Sequence, residues 1–377
     1  MRITKHFPLR LSIQTLVLSW TIVIAPQAFT DINNVTNFDD IEDLRRAAEQ
    51  GVADAQNSLG INYQFGEGVQ ENDKTAVMWY TKAAEQGNAE AQFNLGVMYS
   101  NGEGVQENDK TAVMWYTKAA EQGNAGAQAS LGFSYDLGEG VEIEDNDAAI
   151  SWYRKGAEQE DPRAQVLLGT MYDFGEGVEE NDKTAFMWYK KAAEQGYSLG
   201  QSNLGTMYEY GLGVPENVAT AVDWYRKAAE QGLPLGQFRL GRMYDFGQGV
   251  DENNVIAVDW YRKAAEQGNP DAQRELGLMY DYGEGVEIND EIAADWFRKA
   301  AKQGHSDAQN DLGQYYLKAG DVNISSAIEN FKYSYDAGNL EGGWRLALEL
   351  MDPSSNFYNP KEAFDILMNI LNSGEPS

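Results

Sequence analysis

A stretch of 24 residues, GEGVQENDKTAVMWYTKAAEQGNA, occupies positions 66–89 and returns without a change at positions 102–125. Two identical runs 36 residues apart are a duplicated unit. Diverged copies continue at that step, so the chain is a tandem array before it is anything else. Three marks set the register. A Leu-Gly pair places glycine at Gly60, Gly96, Gly132, Gly169, Gly205, Gly241, Gly277 and Gly313. A Trp-aromatic pair begins at Trp79, Trp115, Trp152, Trp188, Trp224, Trp260 and Trp296. A closing Gln-Gly recurs at Gly51, Gly87, Gly123, Gly196, Gly232, Gly268 and Gly304. The step lengthens to 37 once, where an extra residue enters the loop at positions 142–146.

Within one unit the spacing of apolar residues predicts two helices. Ala55, Leu59 and Tyr63 are four apart and share one face of a helix over 54–65. Ala76, Trp79, Tyr80, Ala83 and Ala84 give the broader stripe of a second helix, from about Asp73 to Gln86. The GEGV loop between them supplies Gly66 and Gly68 for positive φ, and Val69 turns back toward the gap. Asn72 or Asp73 caps the second helix, and Gly87 ends it. Glycine and alanine allow close approach, and each Trp fills the space between neighbours. One helix pair cannot bury both its faces, so stability is expected to lie in stacking.

The pattern A-Q-x-x-L-G-x-x-Y-x-x-G-x-G-V, followed by N-x-x-x-A-x-x-W-Y-x-K-A-A-E-Q-G, resembles the Sel1-like repeats, relatives of the tetratricopeptide repeats. The resemblance covers residues 39–374. It implies an all-α, right-handed α-solenoid of about nine helix-turn-helix repeats of 36 residues. It also implies an adaptor, since members of that family mostly serve to assemble other proteins, in bacteria and in the secretory pathway of eukaryotes.

The organisation expected from the residues runs as follows. Residues 1–10 carry Arg2, Lys5 and Arg10, and an apolar run over 11–25 leads to small residues near Ala28, the pattern of a secretory signal peptide. That run is short for a spanning helix, which needs about 20 residues. An uncleaved anchor is the alternative. Residues 29–38 form a polar lead-in, and 39–51 match a lone second helix with Leu44 in place of the aromatic. Seven units fill 52–304, and two divergent units over 305–374 are expected to cap the array, followed by a short tail at 375–377. In the third unit Gln159-Glu160-Asp161-Pro162 replaces Gln-Gly-Asn, which predicts a local change of curvature, with Pro162 in the first turn of a helix. In the eighth, Asn330-Phe331 stands where Trp-Tyr stood.

Composition narrows the function. The formal charge is −30, and loss of the first 28 residues would remove three cations more. Phosphate recognition requires the opposite sign, so no nucleic-acid partner is expected. The chain has no cysteine, hence no disulfide, thiol nucleophile or lipid-bearing cysteine, and this fits a periplasmic or secreted bacterial protein. Once exported it would keep a single histidine, His305, expected as an exposed residue at a helix start. No catalytic residue, metal site or cofactor is expected. The string Asp173-Phe174-Gly175, and its copy at Asp245-Phe246-Gly247, lacks every companion motif of a kinase. GEGV lacks the Lys-Ser/Thr of a phosphate loop, and the acidic run 142–147 lacks the spacing of a calcium loop.

Partner binding is better supported. The position after the fixed Gln of the first helix varies freely, through Asn57, Phe93, Ala129, Val166, Ser202, Phe238 and Arg274. These are candidates for an inner, concave wall, with Phe93 and Phe238 as apolar anchors. A second row, Asp136, Asp173, Glu209, Asp245 and Asp281, places a carboxylate near the end of each first helix, where the helix dipole disfavours it. Such a ladder would select a basic segment, although a merely solvated row is the plainer alternative. The expected function is an exported adaptor that binds a protein or peptide, with no membrane span once the signal is removed. Two alternatives are an envelope hydrolase or cell-wall-binding protein, and a secreted factor acting on a host.

Overall fold

A computed structural model describes residues 41–318, 324–353 and 355–373. The signal-like stretch, the polar lead-in and the final tail lie outside these residues. Nineteen helices, and no strand, occur among the described residues. The first, α1 (Ile41–Glu49), stands alone, and Leu44 is its buried anchor. Helix pairs follow: α2 (Ala53–Phe65) with α3 (Asp73–Glu85), α4 (Ala89–Asn101) with α5 (Asp109–Glu121), α6 (Ala125–Leu137) with α7 (Asn146–Glu158), and α8 (Pro162–Phe174) with α9 (Asp182–Glu194). These and α10 (Ser198–Tyr210) belong to one compact unit, Met1–Glu216. The second unit, Asn217–Ser377, holds α11 (Val218–Glu230), α12 (Pro234–Phe246), α13 (Asn254–Glu266), α14 (Pro270–Tyr282), α15 (Asp290–Lys302), α16 (Ser306–Lys318), α17 (Ile324–Asp336), α18 (Leu340–Met351) and α19 (Pro360–Asn372). The architecture is an all-α solenoid of about nine repeats.

The boundaries follow from local chemistry. Asn72 accepts a hydrogen bond from the Thr75 amide and starts α3, and Asn108, Asn181, Asn253 and Asn289 start later second helices in the same way. Gly66 ends α2 at φ 70°, with its N–H donated to the Asn62 carbonyl. Glu160 takes the left-handed conformation at φ 66° where its counterparts are glycine. Asp161 caps the following helix through two amides, with Pro162 in the first turn.

Packing explains the fixed residues. A Cβ at Gly60 would lie 2.6 Å from the Tyr80 ring, and the same conflict recurs between Gly132 and Tyr153, so the Leu-Gly glycine is the seat of the aromatic on the paired helix. The second glycine of the loop has a different task. A Cβ at Gly104 would lie 2.5 Å from the Asp73 carbonyl, because each loop rests on the start of the preceding second helix. Trp115 joins a core made by Tyr80 and Ala84 of the unit before it and by Leu95 and Met98 of its own, so this tryptophan does join neighbours. Each is also covered by a lysine three residues on, with the ammonium 3.5–4.2 Å from the ring centre for pairs such as Trp79 with Lys82 and Trp296 with Lys299.

The glutamines that recur from unit to unit make a chain of their own. Gln86 Nε2 donates to Gln56 Oε1 at 2.7 Å, and Gln56 Nε2 donates to the Ala48 carbonyl at 3.0 Å, tying three successive helices. Gln122 with Gln92, Gln195 with Gln165, and Gln303 with Gln273 repeat the arrangement.

Candidate interaction surface

The variable row on the first helices is more deeply packed than its sequence variation implies. Val166 is 1 % exposed and Phe238 4 %, while Asn57, Ala129 and Ser202 are buried as well. Phe238 leans on Tyr261 with ring centres 6.0 Å apart. Neighbouring helices rather than open solvent surround these positions, and Asn57 and Arg274 bond across the gap to the first helix of the next repeat. Asn94 Nδ2, for example, donates to Asn57 Oδ1 across that gap. Phe93 and Arg274 keep part of their surface. Arg274 Nε donates to Asp311 at 2.8 Å, and its Nη1 lies 3.3 Å from Glu275. Burial pushes the Asp311 carboxyl up to about 6 in spite of that partner.

The acidic row is likewise no solvated ladder. Asp136, Asp173, Glu209 and Asp245 are buried. Tyr153 donates its hydroxyl to Asp136 at 3.0 Å, Tyr189 to Asp173 at 3.4 Å and Tyr261 to Asp245 at 3.1 Å. In the first repeat the acceptor is Gln64, 2.7 Å from the Tyr80 hydroxyl. Where the second helix carries Phe297 no hydroxyl exists, and Asp281 accepts instead from Lys318 at 2.9 Å. Where it carries Phe331, the matching first-helix residue is Leu317. The partner of each aromatic therefore follows its chemistry, acceptor for Tyr and apolar for the last Phe. The hydroxyl pairs lie 16 or 17 residues apart, brought together by the antiparallel packing of the two helices of a unit. Burial raises the Asp136 carboxyl to about 6, with the Glu176 and Glu144 charges adding to it and the Tyr153 hydrogen bond opposing it.

His305 is partly buried rather than exposed. Its Nδ1 accepts from the Ala308 amide at 3.3 Å and its Nε2 lies 3.2 Å from Asp271. Asn88 holds the same place six repeats earlier, capping α4 and donating to Asp54 at 2.7 Å. Among the described residues no group of three or more His, Cys, Asp or Glu is arranged to hold a metal ion. Nor is any described helix long and apolar enough to cross a membrane.

One cluster on the first helices does not recur. At the position where Asp54 and Glu90 begin their helices, the third repeat has Gly126 and the fourth has Arg163. The Arg163 guanidinium lies over the Phe93 ring, 5.6 Å from its centre, across the space that Gly126 leaves open. A Cβ at Gly126 would come within 2.6 Å of Arg163 Nη2 and 3.2 Å of Phe93 Cζ. Asp161 holds the guanidinium at 2.9 Å, and Arg163 retains 27 % of its side-chain surface. Tyr197 closes one side, its hydroxyl pushed up to about 12 by burial. Nothing in the variable row singled out Arg163. The signal was the lone glycine at 126, which breaks the pattern without a backbone reason.

Stacked helix pairs of this kind define an α-solenoid repeat architecture. The Sel1 repeat family matches eight successive segments: 53–88, 89–124, 125–161, 162–197, 198–233, 234–269, 270–305 and 306–339. The chain belongs to the Sel1 repeat family, whose solenoids are generally protein-interaction scaffolds. Among solved structures it is similar to a protective antigen of uropathogenic Escherichia coli with the same repeat fold. That likeness has 38 % identity and a TM-score of 0.67, over 91 % of this chain and 74 % of the antigen. It is also similar to a Sel1 repeat protein from Oxalobacter formigenes, with 33 % identity and a TM-score of 0.56, over 82 % of this chain and 90 % of that one. No curated protein matches the sequence.

Proposed function

We propose that this protein is an exported scaffold that binds a protein or peptide across the first helices of its second to fourth repeats, with Phe93 and Arg163 at the centre of the contact. The carrying observation is the guanidinium stacked on Phe93 over Gly126. A residue required by the fold recurs at every step, as the Leu-Gly, Trp and Gln positions do. This cluster occurs once. Aromatic and arginine side chains that are fixed in place yet partly exposed are the kind that dominate binding energy. The remaining acidic surface favours a partner of positive charge and speeds its encounter. Export rests on the basic and apolar pattern of residues 1–28, and the absence of cysteine agrees with an envelope or extracellular address.

The test is capture from an envelope extract on the chain as it accumulates in the producing cell, beside Phe93→Ala and Arg163→Ala variants of equal helicity. A protein held by the parent and lost from either variant supports the reading. Equal capture by all three, or none above background, refutes the surface. Fractionation with sequencing of the N-terminus tests export, and an intact Met1 in a cytoplasmic fraction would refute it. A secreted host-facing role is the second reading. What favours it is the similarity to a protective antigen of a uropathogen, and surface or medium exposure of the protein is its test.

A further inference from the structure

The ninth repeat presents an apolar face on α18 and α19. Trp344, Leu348 and Met351 lie along one side of α18, and Phe364, Met368 and Leu371 lie along one side of α19, each at i, i+4, i+7 spacing. Their exposures are 37 %, 59 %, 47 %, 60 %, 39 % and 68 %. The opposite sides, with Leu346, Ala347, Leu350, Ala363, Ile366 and Ile370, make the core.

The register of the repeat shows what this face is. Asn359 caps α19 as Asn253 caps α13, so Phe364 and Leu371 occupy the places of Val258 and Ala265. Those two are 2 % exposed, because Ala272, Leu276 and Met279 of the following first helix cover them. Asn339 caps α18 as Asn269 caps α14, so Trp344, Leu348 and Met351 occupy the places of Arg274, Leu278 and Asp281. Arg274 and Asp281 are bonded to Asp311 and Lys318 of the following first helix. Both stripes are therefore the stacking surface that a further repeat covers elsewhere in this unit.

We infer that this face pairs with the same face of a second copy of the chain, joining two arrays through α18 and α19. The six exposed fractions amount to about three whole side chains, or roughly 600 Å² at about 200 Å² for a large residue. A pair would bury roughly 1,200 Å² before any rim is counted, the lower bound of stable specific interfaces. Trp, Phe, Leu and Met at its centre, with no charged residue in either stripe, match the composition of an interface core. A head-to-tail joint is disfavoured, since the exposed residues Glu42, Asp43, Arg46 and Glu49 of α1 would set charge against this apolar face. An isologous joint places like on like, and it closes.

Light scattering over about 1–100 µM is the test, using the chain as it accumulates in the producing cell, with dimers at this size of interface expected in the micromolar range. Leu371→Glu together with Phe364→Glu should raise the dissociation constant at least about 100-fold, the scale of losing two hot spots. Because the chain has no cysteine, Leu371→Cys gives a second measurement that does not depend on a charged variant folding. A short bismaleimide should link Leu371→Cys into dimers and leave an equivalent Glu42→Cys chain uncrosslinked. A parent that is monomeric at every concentration overturns the inference, and the face then belongs to a partner of another kind. A dimer that survives both glutamates, or that links equally through position 42, also overturns it.

Discussion

Asp136→Asn isolates the cost of placing a carboxylate in a helix-packing row. The folded protein holds this carboxyl at about 6 against an ordinary 3.8, chiefly through burial. At about 1.36 kcal/mol per pH unit that difference is worth about 3 kcal/mol, and the fraction of surface left to solvent lowers it to roughly 1–3 kcal/mol. The sign follows from the direction. The folded state binds the proton more tightly than the unfolded state, so stability falls as pH rises from about 4 to about 6 and stays at its lower value above that. Asn keeps an oxygen to accept from Tyr153, removes the charge, and turns an amide toward the acidic neighbours Glu144 and Glu176. The variant should therefore be more stable than the parent by roughly 1–3 kcal/mol at pH 8, with the gap closing by about pH 4. Urea unfolding of both chains at half-unit steps of pH measures it. A variant equal to or weaker than the parent at pH 8 would refute the reasoning, and would mean that the Tyr153 hydrogen bond to a charged acceptor outweighs the desolvation of Asp136.

Further outcomes are expected from the same packing rules. Gly132→Ala drives a methyl to 2.6 Å from Tyr153 and should cost about 1–3 kcal/mol of unfolding free energy. Phe297→Tyr offers its hydroxyl to Asp281 and should be tolerated within about 1 kcal/mol, whereas Phe331→Tyr faces Leu317 without an acceptor and should cost about 1–3 kcal/mol. Comparing the melting temperatures of the two variants checks that asymmetry. Glu160→Gly relieves the one left-handed residue other than glycine among the described residues, and should raise stability by roughly 1 kcal/mol in the same assay.

Much of this fold is legible in the chain because repetition supplies many readings of one unit. The helix limits at Ala53–Phe65 and Asp73–Glu85 fall within a residue of those expected from apolar spacing and from Asn and Gly punctuation. Local rules suffice there, since caps and left-handed glycines act within a turn. The acidic row shows where such rules stop. Asp136 and Tyr153 are 17 residues apart, and only the antiparallel packing of α6 on α7 makes them partners. The same holds for Val166 and Phe238, whose burial is decided by the helices packed against theirs, that of Tyr261 in the case of Phe238. Arg163 and Phe93 stand 70 residues apart and meet only because Gly126 between them has no side chain.

Composition and periodicity alone determined that this chain is a helical array of 36-residue units, because a period of that length with two amphipathic stripes has few ways to bury its faces. Tertiary structure decided which side chains remain for a partner. Exposure in a stacked array depends on what the adjacent repeat presents. Leu278 is therefore buried in the seventh repeat, and Leu348, at the same place in the ninth, is open.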